Sequence, residues 1–351
     1  MPFSLMPCRI SLRRVLLAII PGTACLLALP DGRSAETTPP AGQLLRLEGQ
    51  PGGVFAVVFL PDGKHILSAG GGYRAGRPNG CDLRLWDAKT GKEVRRFEGH
   101  MGPVLAAAVS PDGQSILSGS ADCTAQLWEC STGKELARFR HQAAIRSVAI
   151  APDGLSILTG SSDGTTRRWE TASGQMMQIY DRDRTRAVHC AVFSPDGRHV
   201  VTGGFGRSIR VWETETARME AHCDTTATVL HLVVAPDNLG LVSADSEGGV
   251  WLWPIRGGDP VRGYSRATRA ASAVAISSDG KQVAAGMRDG TVRVWDRESG
   301  KEKARFEGHV GTVSTVAFAP DGRTLASGGE DGSVRVWQIS REVAKPKTAG
   351  E

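Results

Sequence analysis

Residues 309–337 read HVGTVSTVAFAPDGRTLASGGEDGSVRVW, and the period inside this stretch decides the fold. Val313-Ser-Thr-Val-Ala-Phe318, Thr324-Leu-Ala-Ser327 and Val334-Arg-Val-Trp337 are short, β-branched runs of period two. Pro320-Asp321-Gly322 and Glu330-Asp331-Gly332 separate them with turn residues. Three strands joined by two tight turns follow. A fourth, Lys301-Glu-Lys-Ala-Arg-Phe306, lies just ahead of Gly308-His309.

Working outward, the unit recurs along the chain. Trp86, Trp128, Trp169, Trp212, Trp253, Trp295 and Trp337 stand 42, 41, 43, 41, 42 and 42 residues apart. Sixteen residues before each of the last six sits a turn Asp: Asp112, Asp153, Asp196, Asp237, Asp279 and Asp321. In the first copy the interval from Asp62 to Trp86 is 24, so eight residues are inserted, within the Gly-rich stretch 70–80. Seven copies of a four-stranded antiparallel unit describe an all-β radial stack of small sheets. Composition agrees, since 43 glycines in 351 residues suit many tight turns between short elements. The 42 basic and 37 acidic residues are interspersed, and a net charge of +5 spread in this way does not describe a nucleic-acid-binding protein.

The first 35 residues have a different character. Arg9, Arg13 and Arg14 precede the apolar run 15–29, and small residues follow at Ser34-Ala35, the layout of a secretory signal. Cleavage after Ala35 would remove four arginines and one aspartate, taking the net charge from +5 to +2. The organisation expected is a leader over 1–35, a linker over 36–42, the repeat domain over 43–340 and a charged flexible tail over 341–351. Export to the periplasm, envelope or exterior is expected. Pro21-Gly22 and Arg33 leave open an uncleaved N-terminal anchor, which is the one route by which this chain would meet a membrane.

The ordered signals Gly-His, Pro-Asp-Gly, Ser/Thr, Asp-Gly and Trp resemble WD40 repeats over roughly residues 43–340. The resemblance implies a seven-bladed β-propeller. Trp-Asp itself occurs only at Trp86-Asp87 and Trp295-Asp296. Because only Gln338-Ile-Ser follows Trp337 before the tail, the last blade lacks a fourth strand, and Leu44-Leu-Arg-Leu-Glu-Gly49 matches the missing one. The N-terminal strand is therefore expected to close the ring on the last blade and cover its edge.

The resemblance also implies hydrogen-bonded tetrads of His, Ser/Thr, Asp and Trp. Three blades carry all four: His100, Ser118, Asp122 and Trp128; His141, Thr159, Asp163 and Trp169; His309, Ser327, Asp331 and Trp337. A hydrolase triad can be assembled from the same residue types, but a catalytic trio is needed once and this one recurs at repeat spacing beside a Trp. No catalytic residues, metal site or cofactor are expected. In blades 4, 5 and 6, Arg184, Thr225 and Ala267 replace the His, Gly206 and Glu247 replace two Asp residues, and Ala285 replaces a Ser/Thr. In blade 1 Gln50 stands for the His, and the Asp register is blurred by the insertion. Cysteines 81, 123, 130, 190 and 223 form no disulfide framework, and either a Cys81–Cys123 bridge or buried apolar thiols fit them.

Strand alternation places the fourth-to-first and second-to-third connections on one face. Its variable residues by alignment are Phe55, Leu105, Arg146, His189, Leu230, Ser272 and Ser314, with Phe205, Arg288 and Glu330 beside the Asp turns. Tyr73 and Arg74 fall in the insertion, expected to be a mobile basic loop, and Asp181–Arg186 reads as a solvated loop. Aromatic and Arg residues of this kind suit interface anchors. The expected function is a monomeric, non-catalytic scaffold that binds a protein or peptide on this face, the alternative being an enzyme or small-ligand binder using the central channel.

Overall fold

A computed structural model describes residues 40–74, 77–182, 186–266 and 271–339. The expected leader, the tail over 341–351, Arg184 and Ala267 lie outside them. Seven antiparallel sheets form a ring, each built on four strands; six pair theirs in sequence order, blade 1 with an extra short strand, and the seventh takes the N-terminal strand as its outer member. Blade 2 is representative: Val104–Val109, Ser115–Ser120, Thr124–Glu129 and Glu135–Arg140. Blade 7 comprises Val313–Phe318, Thr324–Gly329 and Val334–Gln338, with Gln43–Leu47 as its outer strand.

That outer strand closes the ring. Leu45, Arg46 and Leu47 pair antiparallel with Val336, Arg335 and Val334, and Gln338 N donates to Gly42 O at 2.8 Å. Leu47 is buried with Val54, Trp86, Val334 and Val336, so the clasp carries apolar packing as well as ladder bonds.

The tight turns follow from local chemistry. At Pro320-Asp321-Gly322, Asp321 Oδ1 accepts from Arg323 N at 2.8 Å while Gly322 takes a φ of +63°. Blades meet where a second-strand residue faces the next blade's first strand. A Cβ on Gly328 would lie 2.5 Å from Val54 Cγ1, so only glycine admits the approach of blade 1 to blade 7.

The insertion in blade 1 is a hairpin rather than the mobile loop expected. The second strand runs on to Arg74 and returns through Arg77–Asn79, pairing Gly72 with Asn79, Tyr73 with Pro78 and Arg74 with Arg77. Glycine makes the crossing tight: a Cβ on Gly71 would sit 2.7 Å from Gly80 O. Asp181 also departs from the solvated loop expected. It extends the outer strand of blade 3, is buried, and pairs with Arg210 of blade 4 at 2.7 Å. All five described cysteines are free, and Cys130, Cys190 and Cys223 are buried.

Candidate functional site

The recurring polar residues form closed chains beneath one face. In blade 2, Trp128 Nε1 donates to Ser118 Oγ at 2.9 Å, His100 Nε2 lies 2.8 Å from that hydroxyl, and His100 Nδ1 lies 2.9 Å from Asp122. In blade 3 the same links join Trp169, Thr159, His141 and Asp163 at 2.8, 2.7 and 2.9 Å. In blade 7 they join Trp337, Ser327, His309 and Asp331 at 2.8, 2.8 and 3.1 Å. Burial alone would raise the carboxyls of Asp122, Asp163 and Asp331, but hydrogen bonds from the neighbouring imidazole, side-chain hydroxyls and backbone N–H groups outweigh it and hold all three well below the usual range. Ser118, Thr159 and Ser327 have no exposed surface, so a nucleophile there would have no access to substrate.

Blade 1 builds a variant of this chain that residue identity had hidden. Ser68 Oγ donates to Gln50 Oε1 at 2.7 Å and accepts from Trp86 Nε1 at 2.8 Å, while Gln50 Nε2 donates to Asp82 O at 2.9 Å. A carboxamide offers one acceptor and one donor nitrogen, the complement that neutral imidazole offers. Asp82 stands four residues before the Trp, not six, and Arg84 lies 3.2 Å from its carboxylate. Blade 5 also reorganises: Trp253 Nε1 donates to Ser243 Oγ at 2.8 Å, and Asp245, rather than Glu247, caps the turn by accepting from Glu247 N and Gly249 N. Trp251, outside the repeat series, donates to the same carboxylate at 2.8 Å.

Every inner strand carries a β-bulge. Val104 pairs with Ser120 and Ala106 with Gly119, leaving Leu105 as the extra residue, and the skip recurs at Phe55, Arg146, His189, Leu230, Ser272 and Ser314. A bulge releases one residue from the ladder and re-aims its side chain. All seven released residues line one cavity of about 480 Å³ at the channel mouth, with His231, Arg288, Thr312 and Glu330. The repeat alignment grouped seven of these positions without this physical reason, and it missed His231, the residue after the bulge in blade 5. The channel continues beneath along Val58, Val192, Val233, Ile276 and Phe318.

Phe205 is 59% exposed at the rim, its ring edge-to-face with His189 at 4.8 Å between centroids. Phe55 is half-buried. Tyr73 and Arg74 lie on the blade 1 hairpin. Burial and the nearby Arg146 charge push the His189 imidazole down to about 4, which leaves it neutral at pH 7. His231 lines the mouth and the channel yet is ringed by protein, and that enclosure lowers its imidazole as well. Its Nδ1 accepts a long 3.5 Å bond from Val274 N of the next blade.

The fold and its repeated polar chains define a WD40 β-propeller. The family described as WD domain, G-beta repeat matches residues 42–87, 91–129, 133–170, 175–213, 258–296 and 300–338, and the chain belongs to it. The unmatched interval contains the first three strands of blade 5, Val229–Val234, Gly240–Asp245 and Gly249–Pro254, which keep the common blade architecture. Comparison with curated proteins returns no match.

Proposed function

We propose that this propeller is an exported, monomeric, non-catalytic scaffold that binds a protein or peptide on the face carrying the channel mouth. One observation carries the reading: seven bulged side chains, one from each blade, differ in chemistry yet converge on a single open mouth. Small, identical residues would serve if the position were only structural. WD40 propellers are generally protein-interaction scaffolds, which is consistent with this use of the face. The exposed Phe205 and the half-buried Phe55 have the character of aromatic anchors.

A photo-crosslinking amino acid placed at Phe205 tests the face against one at Leu155, which is 69% exposed on the Pro-Asp-Gly turn of blade 3 at the opposite side. Irradiation in the envelope fraction should give a discrete protein adduct from position 205 and none from 155. Equal or absent adducts would refute the assignment. Export is tested by fusing residues 1–42 to an enzyme active only outside the cytoplasm, and an inactive fusion would refute that part.

A further inference from the structure

The chemistry of the mouth is divided among the blades. Phe55 of blade 1, Leu105 of blade 2 and Leu230 of blade 5 offer apolar surface, while Arg146 of blade 3 and Arg288 of blade 6 offer cations. Glu330 is the one carboxylate lining this cavity among the described residues, and it already accepts from Thr312 N at 3.1 Å.

The two arginines are left without carboxylates. Arg146 Nε donates to Ser162 Oγ at 2.7 Å, which anchors the guanidinium, and its terminal nitrogens have no acceptor among the described residues. Arg288 is exposed and has neither hydrogen bond nor ion pair among them. Elsewhere the chain pairs its arginines readily: Arg84, Arg138, Arg210, Arg297 and Arg305 each lie within 3.2 Å of a carboxylate. Beside Arg146, His189 Nε2 is buried with no partner, so this side of the mouth holds polar capacity that the fold does not use.

We infer that the mouth recognises an acidic peptide segment, whose carboxylates pair with Arg146 and Arg288 while an adjacent apolar side chain packs against Phe55, Leu105 and Leu230. The inference rests on reading this face as the protein-binding surface. Charge complementarity selects the acid, because acidic residues gain a guanidinium partner on blade 3 and another on blade 6, whereas a cationic segment meets two like charges that have no carboxylate partner of their own. The apolar surface and the apolar channel beneath select a flanking hydrophobic residue over a bare anion.

The test is selection of a phage-displayed random dodecapeptide library on the intact protein, followed by fluorescence-polarisation titration of the enriched peptides. Enriched sequences should place Asp or Glu beside Leu, Phe or Trp, and their affinity should fall as salt is raised. Arg146→Gln and Arg288→Gln should each weaken binding by about tenfold or more, as should Gln for Glu in the peptide, whereas Arg323→Gln on the opposite face should leave it unchanged. Enrichment of neutral or basic peptides, or affinities within twofold of wild type in both mouth variants, would overturn the inference. If such peptides still lose affinity in Phe55→Ala and Phe205→Ala, the face reading survives alone. Absence of enrichment, or enrichment indifferent to all four variants, ends both readings. An oligonucleotide bound through the same arginines would overturn the peptide assignment in favour of nucleic acid.

Discussion

Replacing Asp163 with Ala tests whether the polar chains hold the blades. Its carboxylate accepts five hydrogen bonds: from His141 Nδ1 at 2.9 Å, Gln142 N at 3.1 Å, Thr165 N at 3.0 Å, Thr165 Oγ1 at 2.6 Å and Arg167 Nη2 at 3.5 Å. Bonds to a charged acceptor contribute more than the usual ~1 kcal/mol, but the exposed Gln142 and the half-buried Arg167 donors can turn to water, so the loss is about 3–4 kcal/mol. Gly206→Ala at the equivalent position of blade 4 is the comparison. Its Cβ would meet nothing nearer than Ser208 Oγ at 3.5 Å, and a change within about 0.5 kcal/mol is expected. Urea unfolding followed by tryptophan fluorescence reads both, and equal midpoints for the two variants would refute the structural role. Acid supplies an independent check. The folded carboxyl is depressed, so as pH falls below its unfolded value of about 4 the unfolded chain takes up the proton first and the wild type loses this stabilisation. Wild type and variant should therefore differ most above pH 5 and converge toward pH 2.

Three further outcomes follow from particular residues. Deleting residues 43–47 exposes the edge strand Val334–Gln338 and removes buried Leu47, so the ring should aggregate or melt well below the intact protein, and an unchanged, monomeric melting profile would show that the clasp is dispensable. Cys123 holds a φ of +70° where blade 3 has Gly164 at +80°, so Cys123→Gly should relieve left-handed strain and raise the urea midpoint by about 0.5–1 kcal/mol in stability, with a lower midpoint as the contrary result. His189 has a folded pKa lowered to about 4, which means the unfolded chain binds the proton first and stability is lost as pH falls from about 6.5 toward 4. Because His189 is only half-buried the effect is about 2 kcal/mol, and His189→Gln should flatten this part of the stability–pH curve.

Much of the fold was legible because a repeat states its own period seven times. Tryptophans at near-constant spacing and turn aspartates sixteen residues ahead of six of them located the strands, and the short last copy showed that the N-terminal strand must close the ring. What stayed hidden depends on contacts rather than identities. Gln50 takes the place of a histidine because its carboxamide carries the same donor and acceptor, and Asp82 enters from a different register, so no residue-by-residue alignment joins them. Asp181 read as a loop residue among arginines, but its partner, Arg210, lies on the next blade and is far away in sequence. The insertion read as a loop from its glycines, which instead allow two strands to cross closely. For the mouth, alignment supplied the positions, while the bulge that turns them inward is a property of strand pairing and has no signature in composition.

The same geometry gives the ring two unlike arcs. Four-member polar chains tie blades 7, 1, 2 and 3, the arc that contains the closure, where Thr315 Oγ1 of blade 7 also accepts from Val57 N of blade 1 at 3.2 Å. Among the described residues, blades 4 and 5 retain of this chain the Trp link to Thr202 or Ser243, and blade 6 has Ala285 in place of that hydroxyl. At the mouth the tied arc supplies the bulge residues Phe55, Leu105, Arg146 and Ser314 together with Glu330, and blades 4, 5 and 6 supply the bulge residues His189, Leu230 and Ser272 together with His231 and Arg288. A ring must be held most firmly where two chain ends meet, since no covalent link spans that junction and an opened edge invites pairing with other chains. Ionisable side chains reach the mouth from both arcs, and both imidazoles come from the arc with the shorter hydrogen-bond chains. Low local stability is the usual condition of elements that adjust to a ligand, and because the tied arc maintains closure, blades 4 to 6 are free to lose tetrad members without opening the ring.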